Sequence, residues 1–437
     1  MSNDPGDGPD DSNNPFKGTP FEQMFAAFSG GLPGGFPGVQ GGGSGMPDLS
    51  MLVNQMQAMM APHEGSVNWT LAKDVARKTV AAEADPTPND KQRTAAADAL
   101  RLADHWLDSA TDFPSGVSTT AVWSRAEWVE ETTPVWQRLV EPVAEHVVSA
   151  MGQALPEEAR TMAGPLLGLL GKAGGAMFGG QVGQALGGLA AEVLSASDIG
   201  LPLGPEGKAA LLPTNVRAFA AGVEDVDPDD VLLYLALREA AHQRLFAAAP
   251  WLRSHLLAAV EDYGRGTTID ISKIEASMAD IDPMNPASLQ QALEGGLFEP
   301  QKTPAQEAAL VRLETALALV EGWVDEVIGQ ATDTRMPNAG KLQEAMRRRR
   351  AAGGPAESAF AALVGLELRP RRLRDAAALW GSLRSRKGPE ARDAVWVHPD
   401  LMPTHADLDD PLGFQEGESP QDFDDALARM LDAEADE

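Results

Sequence analysis

The residues best suited to chemistry lie in the pentapeptide R-E-A-A-H, which runs from Arg238 to His242. Glu239 and His242 belong to a stripe of residues spaced three and four apart, the periodicity of one helix face. The other members of the stripe are apolar, namely Leu232, Leu235 and Phe246. Burying either polar group without a partner would cost about 1–3 kcal/mol, so both need partners in the core.

Spacing of this kind is used to bind zinc. In H-E-x-x-H on a helix, two histidines bind one metal ion and the glutamate activates the metal-bound water. Here Glu239 and His242 match the glutamate and the second histidine, whereas Arg238 stands at the first ligand position. A guanidinium stays protonated and offers no lone pair to a metal. The sequence therefore predicts an incomplete zinc site.

The helix that carries these residues has clear sequence boundaries. Asp227 is suited to cap its first turn, and Pro228 has the fixed φ favoured at the first helical position. We predict a helix that runs to Ala249, is interrupted at Pro250 and is followed by a second segment ending at Gly264.

The stretch R-E-A-A-H-Q-R-L-F, followed closely by P-W-L, resembles the signature of a bacterial family of zincin-like hydrolase candidates labelled zinc-dependent metalloproteases. Five more segments carry the resemblance, which covers about residues 63 to 415. They are S-V-N-W-T-L-A from Ser66, S-R-A-E-W-V-E from Ser124, L-L-P-T-N-V from Leu211, L-V-E-G-W-V-D from Leu319 and V-H-P-D-L-M-P-T from Val397. The resemblance implies a mainly α, zincin-like metallopeptidase-type helical domain. A small β-sheet is expected near the motif helix, with its strand within residues 209 to 222.

The resemblance also implies roles for particular carboxylates. Family members with an intact H-E-x-x-H resemble gluzincins, in which a downstream glutamate completes the zinc site. Glu321 is the preferred counterpart of that glutamate, and Glu261 is the second candidate. His242 and Glu321 would be metal ligands only if zinc is bound, and Glu239 would be the catalytic base. A further hypothesis places the charge of Arg238 between Glu239 and Glu321, where an active relative would hold zinc.

Composition limits the remaining possibilities. The chain has 437 residues, 43% of them apolar, no cysteine and a net charge of −29. The absence of cysteine excludes disulfides and thiolate metal sites, and it fits a reducing compartment. The acidic first residues lack the basic start and apolar core of a secretory signal, which favours a cytoplasmic location. Abundant alanine and arginine suggest a GC-rich bacterial genome.

Three domains follow from these patterns. Residues 1 to 62 are rich in glycine and proline and are predicted to be disordered, with two apolar islands at 20 to 28 and 49 to 60. Residues 63 to 415 form the helical domain, and residues 416 to 437 form an acidic tail. Within the domain we predict helices at about 67 to 83, 89 to 110, 122 to 153 and 303 to 330. A short strand is predicted in the segment T-T-I-D-I-S after Gly264, and a loop with a brief helix from Pro283 to Pro300.

Residues 161 to 191 contain one charge, that of Lys172, and a glycine at every fourth position from Gly171 to Gly187. This spacing gives a helix one smooth face that another backbone can approach closely. A buried helix or helical hairpin is favoured. Attachment to a membrane and a glycine-mediated interface between copies are the alternatives, although Gln181 and Gln184 near the middle argue against insertion.

Residues 341 to 392 reverse the overall charge, with thirteen lysines and arginines against five acidic residues. Intramolecular screening, for example by the acidic tail, or simple solvation is favoured for this basic segment. Nucleic-acid binding is disfavoured because no aromatic residues alternate with the arginines. Each of His105, His146 and His398 is interpreted as an ordinary histidine, and His398 is expected to hold a turn.

The sequence thus favours a zincin-like homologue that is catalytically inactive, has no zinc cofactor and is retained to bind a peptide or protein. The alternative is an active zinc-dependent hydrolase that uses His242, a downstream glutamate and a substitute ligand, with Glu239 as general base. A third hypothesis, a membrane-associated scaffold, depends on residues 161 to 191 alone. No phosphate-binding loop, nucleophile elbow or dinucleotide fingerprint is present.

Overall fold

A computed structural model describes residues 65–153, 164–265, 303–351, 359 and 372–414, and helices make up most of these described residues. The helices are α1 (Trp69–Val80), α2 (Asp90–Leu107), α3 (Arg125–Gln153), α4 (Gly164–Ala190), α5 (Pro213–Ala221), α6 (Pro228–Ala248), α7 (Pro250–Arg265), α8 (Pro304–Thr332), α9 (Ala339–Ala351), α10 (Leu373–Lys387) and α11 (Pro389–Ala394). The strands are β1 (Thr119–Val122) and β2 (Lys208–Leu211), and two 3₁₀ turns follow at Val395–Val397 and Pro399–Leu401. The mainly α prediction is confirmed.

The central helix α6 begins as its sequence predicts. The Asp227 side chain accepts a hydrogen bond from the Asp229 backbone N–H, and Pro228 occupies the first helical position. Ala249 ends the helix and Pro250 opens α7. The second long helix of the core, α8, starts with a reciprocal capping box between Thr303 and Gln306. Both helices are therefore positioned by strong local signals.

A two-stranded parallel sheet lies beside α6. Thr119 of β1 is opposite Lys208 of β2, and Val122 is opposite Leu211. The expected strand is confirmed at the start of residues 209 to 222, but α5 follows it at once because Pro213 opens a helix.

Strand β1 corrects the predicted helix at 122 to 153. The helix begins only at Arg125, whose backbone N–H donates to the Asp85 carboxylate, as does that of Ala126. The three residues before it continue or leave the strand. Ser124 and Glu127 form a reciprocal pair of hydrogen bonds at the helix start, so a local capping box and the contact with the distant Asp85 set the boundary together.

The glycine stripe packs α4 against α1. A Cβ atom at Gly179 would lie 2.5 Å from the backbone oxygen of Asn68, and one at Gly183 would lie 2.4 Å from that of Ala72. At Gly187 the nearest atom would be the Cβ of Thr79, at 2.5 Å. The buried-helix interpretation is confirmed for residues 174 to 190, the part of this segment whose burial the structure describes. No helix in the described part of the chain is both long and apolar enough to cross a membrane.

Tryptophans fill much of the core around α6 and α8. Five are completely or almost completely buried, namely Trp128, Trp136, Trp323, Trp380 and Trp396. Near the end of the domain His398 caps a 3₁₀ turn, because its Nδ1 accepts a hydrogen bond from the Asp400 N–H at 3.2 Å. This confirms the interpretation of His398 as a turn residue.

Several predictions fall outside the described residues. These are the disorder of residues 1 to 62 with its two apolar islands, the strand after Gly264, the loop from Pro283 to Pro300 and the acidic tail at 416 to 437. The three domain boundaries therefore stay predictions.

Candidate functional site

Helices α6 and α8 bring together the polar residues of the candidate site. Arg238, Glu239 and His242 come from α6, whereas Glu321 and Asp325 come from α8. All five side chains are buried, and none belongs to a residue more than 4% exposed. Because isolated charges are costly in such an environment, the pairing of these groups decides what the site can do.

The guanidinium of Arg238 joins the two carboxylates of α8. Its Nη1 donates to Oδ1 of Asp325 at 2.6 Å, and its Nη2 is paired with Oε2 of Glu321. Burial alone would lower the pKa of Arg238, but Glu321 and Asp325 raise it well above its ordinary value. The position that would hold the first zinc ligand is thus occupied by a permanent cation.

Both ring nitrogens of His242 face oxygen acceptors. Nδ1 lies 2.8 Å from the backbone oxygen of Arg238, and Nε2 lies 2.9 Å from Oε1 of Glu321. A neutral imidazole has only one N–H and can donate to only one of them. Both ring nitrogens are therefore already within hydrogen-bond distance of protein oxygens.

Glu321 contacts three basic side chains. Burial by itself would raise the pKa of Glu321, but Arg350, His242 and Arg238 together hold it well below its usual range. Arg350 is paired with the same oxygen, Oε2, that contacts Arg238. The carboxylate is consequently ionised and already saturated by protein donors.

Glu239 belongs to a separate hydrogen-bond network. Its Oε2 accepts from the Ser197 backbone N–H at 3.0 Å, and its Oε1 accepts from Nε2 of Gln243 at 3.0 Å. Burial raises the pKa of Glu239, and a hydrogen bond with Ser195 and the proximity of His242 only partly offset this. Of the two glutamates between which Arg238 was expected to lie, the guanidinium is therefore paired with Glu321, whereas Glu239 is bonded to Ser197 and Gln243. Consecutive residues point about 100° apart around a helix, which directs Arg238 to Asp325 and Glu239 to the loop at Ser197.

Glu239→Gln should stabilise the protein at neutral and higher pH. The folded-state pKa of Glu239 is raised, so its contribution to stability is present at low pH and is lost as pH rises through that pKa. The amide should raise the free energy of unfolding by about 1 kcal/mol at high pH and change it little in acid. Urea unfolding at about pH 5 and about pH 8 measures the difference.

The exposed Glu224→Gln is the matched control for that substitution, and it should shift stability by less than about 0.5 kcal/mol at either pH. If Glu239→Gln were less stable than the native protein at about pH 8, the charged carboxylate would be the favoured form in the folded state.

Sequence reasoning missed Asp325 and the arginines of α9. Arg347 Nε lies 3.2 Å from Oδ2 of Asp325, and Arg349 Nη1 lies 3.0 Å from Oδ2 of Asp198. Asp325 could have been found from its i+4 spacing to Glu321 on α8. The arginines of α9 could not have been found in this way. From the sequence, the basic segment was expected to be screened by the acidic tail or solvated by water.

The other proposed ligands lie elsewhere. Of the two downstream glutamates, Glu321 is the one bonded to His242, whereas Glu261 is a partly exposed residue of α7. His105 is exposed and lies 3.5 Å from Asp108, a surface pairing with no bearing on the buried cluster.

The donor set does not fit zinc as arranged. Catalytic zinc usually takes three protein ligands and a water molecule. His242 and Glu321 are engaged with other protein groups, and Arg238 offers donors only. Across residues 65–153, 164–265, 303–351 and 372–414, no group of three or more histidine, aspartate or glutamate side chains could hold a metal ion.

Known proteins share this fold. A family model described as zincin-like metallopeptidase matches residues 67–414. The crystal structure of a proposed hydrolase with a novel fold from Chloroflexus aurantiacus is similar, with a TM-score of 0.56 and 20% sequence identity. The similarity covers 79% of this chain and 96% of that chain, and at this identity it concerns the fold alone. No curated protein matches the chain.

Proposed function

The chain belongs to the zincin-like metallopeptidase family, and on this premise we propose that it is a catalytically inactive homologue retained as a peptide- or protein-binding module. The observation that carries the proposal is the guanidinium of Arg238, buried between Glu321 and Asp325. We assign the protein to the bacterial cytoplasm as part of the same proposal.

Loss of catalysis follows from the chemistry of the paired groups. A zinc peptidase needs a metal ion to lower the pKa of a water molecule and to polarise the scissile carbonyl. With Arg238 in place, the positive charge near Glu321 comes from side chains that cannot bind or activate water in this way. Glu239 is the counterpart of the general base. Its carboxylate accepts a hydrogen bond from the Ser197 backbone N–H and so belongs to a network separate from this cluster.

A groove near the start of α6 supports a binding role. Its volume is about 400 Å³, and its walls are mostly apolar. It runs along α2, the end of β2, α5 and α6, with lining residues that include Ala96, Leu211, Val216, Ala220 and Leu232. Such a groove is suited to receive apolar side chains of a peptide, with few polar groups to fix their orientation.

The alternative is an active zinc-dependent hydrolase. Asp325 favours it, since Arg238 contacts both this carboxylate and that of Glu321, which makes Asp325 a candidate for the missing ligand. His242, Glu321 and Asp325 would then be the metal ligands and Glu239 the general base. This arrangement requires both Arg238 and Arg350 to leave Glu321, at the expense of several buried ion pairs.

Zinc content of the purified, tag-free chain tests the proposal. After chelator treatment and dialysis against dilute zinc, the native protein should hold no stoichiometric metal by elemental analysis. Arg238→His restores the first histidine but leaves Arg350 on Glu321, so the double variant R238H/R350Q should bind zinc more tightly than R238H alone. The control R238H/H242N lacks the second histidine and should lose that site.

Each contrary outcome has a distinct meaning. One zinc per native chain, lost on His242→Asn, would overturn the inactive assignment, and peptide hydrolysis abolished by Glu239→Gln would then support the alternative. If the double variant also binds no zinc, the cluster of Arg238, His242 and Glu321 is not the counterpart of the family's metal site.

A further inference from the structure

Helix α9 carries four consecutive arginines, from Arg347 to Arg350. Three of them point into the domain, whereas Arg348 is 79% exposed and pairs with Glu344 of the same helix. The side chains of Arg347, Arg349 and Arg350 are only 14% to 26% exposed. They cover the carboxylates of Asp325, Asp198 and Glu321.

We propose that the surface beneath α9 is a recognition surface for an arginine-rich protein segment, and that α9 is its built-in occupant. The proposal goes beyond the proposed binding function, because this surface shares no residue with the apolar groove lined by Ala96, Leu211 and Leu232. The surface consists of the three carboxylates of Asp198, Glu321 and Asp325 and the backbone oxygens of Glu192 and Asp198.

The contacts favour arginine over lysine. Nη1 of Arg349 binds Oδ2 of Asp198 at 3.0 Å, while its Nη2 binds the backbone oxygen of Glu192 at 2.6 Å. Nη2 of Arg350 binds the backbone oxygen of Asp198 at 2.7 Å, while its Nη1 is paired with Glu321. Each guanidinium therefore bridges two acceptors on different residues. A lysine ammonium is a point charge and lacks the planar fork that spans them.

The acceptors are held in place without α9. The Asp198 carboxylate also accepts the backbone N–H of Leu194 at 3.0 Å, and Glu321 and Asp325 are fixed by Arg238 on α6. All the groups contacted by the three arginines are hydrogen-bond acceptors. A preformed set of acceptors with net negative charge is what a guanidinium-bearing segment requires.

The attachment of α9 depends heavily on charge. Among its described side chains, the buried apolar ones are Leu342 and Met346. Ala339 also packs against the core, and the partly exposed arginines add ion pairs with Asp325 and Asp198, which high salt weakens in part. An external segment with the same chemistry can therefore compete for the surface.

Binding in trans tests the proposal. A fluorescent peptide with the sequence of residues 338–351 should bind the full chain carrying Arg347→Gln, Arg349→Gln and Arg350→Gln, because this variant removes the guanidinium groups that compete for the surface. The unmodified chain and the surface control Arg348→Gln should bind it at least about tenfold more weakly, since their own arginines compete. A peptide with lysine in place of all four arginines should also bind about tenfold more weakly.

Fluorescence anisotropy at low and high sodium chloride gives these affinities, with circular dichroism as the check on folding. Three results would overturn the proposal: a folded triple variant that does not bind the peptide, equal binding by the Arg348→Gln control, or equal binding of the arginine and lysine peptides.

If the triple variant does not fold, hydrogen exchange of the unmodified chain tests the proposal instead. Protection of α9 should fall in 1 M salt while that of α8 persists, and equal behaviour of both helices would refute a charge-held α9.

These outcomes are distinguishable from those of the zinc experiment. The peptide measurements are made with chelator present, so a metal-binding result leaves them unchanged. Zinc bound to the native chain would reject the inactive assignment. Equal binding of the arginine and lysine peptides would reject the recognition surface beneath α9.

Discussion

Replacing Arg238 by methionine should lower the free energy of unfolding by about 3–5 kcal/mol, the usual range for breaking a buried ion pair on one side. Glu321 would keep Arg350 and His242, but Asp325 would lose its shortest partner at 2.6 Å while staying 2% exposed. Methionine fills a similar volume, so the loss reports charge rather than a cavity. Urea unfolding followed by circular dichroism at about pH 7 measures it.

The effect of Arg238→Met should shrink in acid. The folded-state pKa of Glu321 is held below its ordinary value, so the stabilisation is present above the usual carboxyl range and lost as pH falls toward the folded-state pKa. Arg348→Met is the control, because that side chain is 79% exposed and its removal should change stability by less than about 0.5 kcal/mol. If Arg238→Met lowered the free energy of unfolding by less than about 1 kcal/mol at neutral pH, the ion pairs of Arg238 would contribute little to stability.

Adding one methyl group to α4 should have opposite effects on its two faces. Gly183→Ala should destabilise the protein by about 1–3 kcal/mol, because the new Cβ would lie 2.4 Å from the backbone oxygen of Ala72 and 2.6 Å from Cβ of Val75. A backbone atom cannot rotate away as a side chain can, so α1 and α4 must separate. Thermal and urea unfolding give the change.

Gly188→Ala is the matched control on the same helix. Nothing lies within 4 Å of a Cβ atom at Gly188, so alanine should raise stability by about 0.5–1 kcal/mol through helix propensity alone. If both substitutions stabilise the protein, the close approach of α1 and α4 is not a constraint on the fold.

Much of the candidate site can be understood before any tertiary contact is known. The cap of Asp227, the start at Pro228 and the position of Arg238 in the motif are local features, and each depends on residues within a few positions. The glycine stripe is local in the same sense, since a repeat of four residues determines which face of α4 is smooth. Glu321 was identified by resemblance, and the structure bonds it to His242.

The partners of these groups were decided by tertiary structure. The guanidinium of Arg238 is hydrogen-bonded to Asp325, 87 residues away in the sequence, rather than to the adjacent Glu239. Arg350 came to Glu321 because α9 folds across α8, which no local pattern in the basic segment indicates. The chemistry of a side chain determines which groups it can pair with. Which of those groups becomes its partner depends on how the helices pack, because a buried charge needs a counter-charge close by. For this protein the sequence therefore identified the arginine of the R-E-A-A-H motif, and only the assembled helices showed which carboxylates it is paired with.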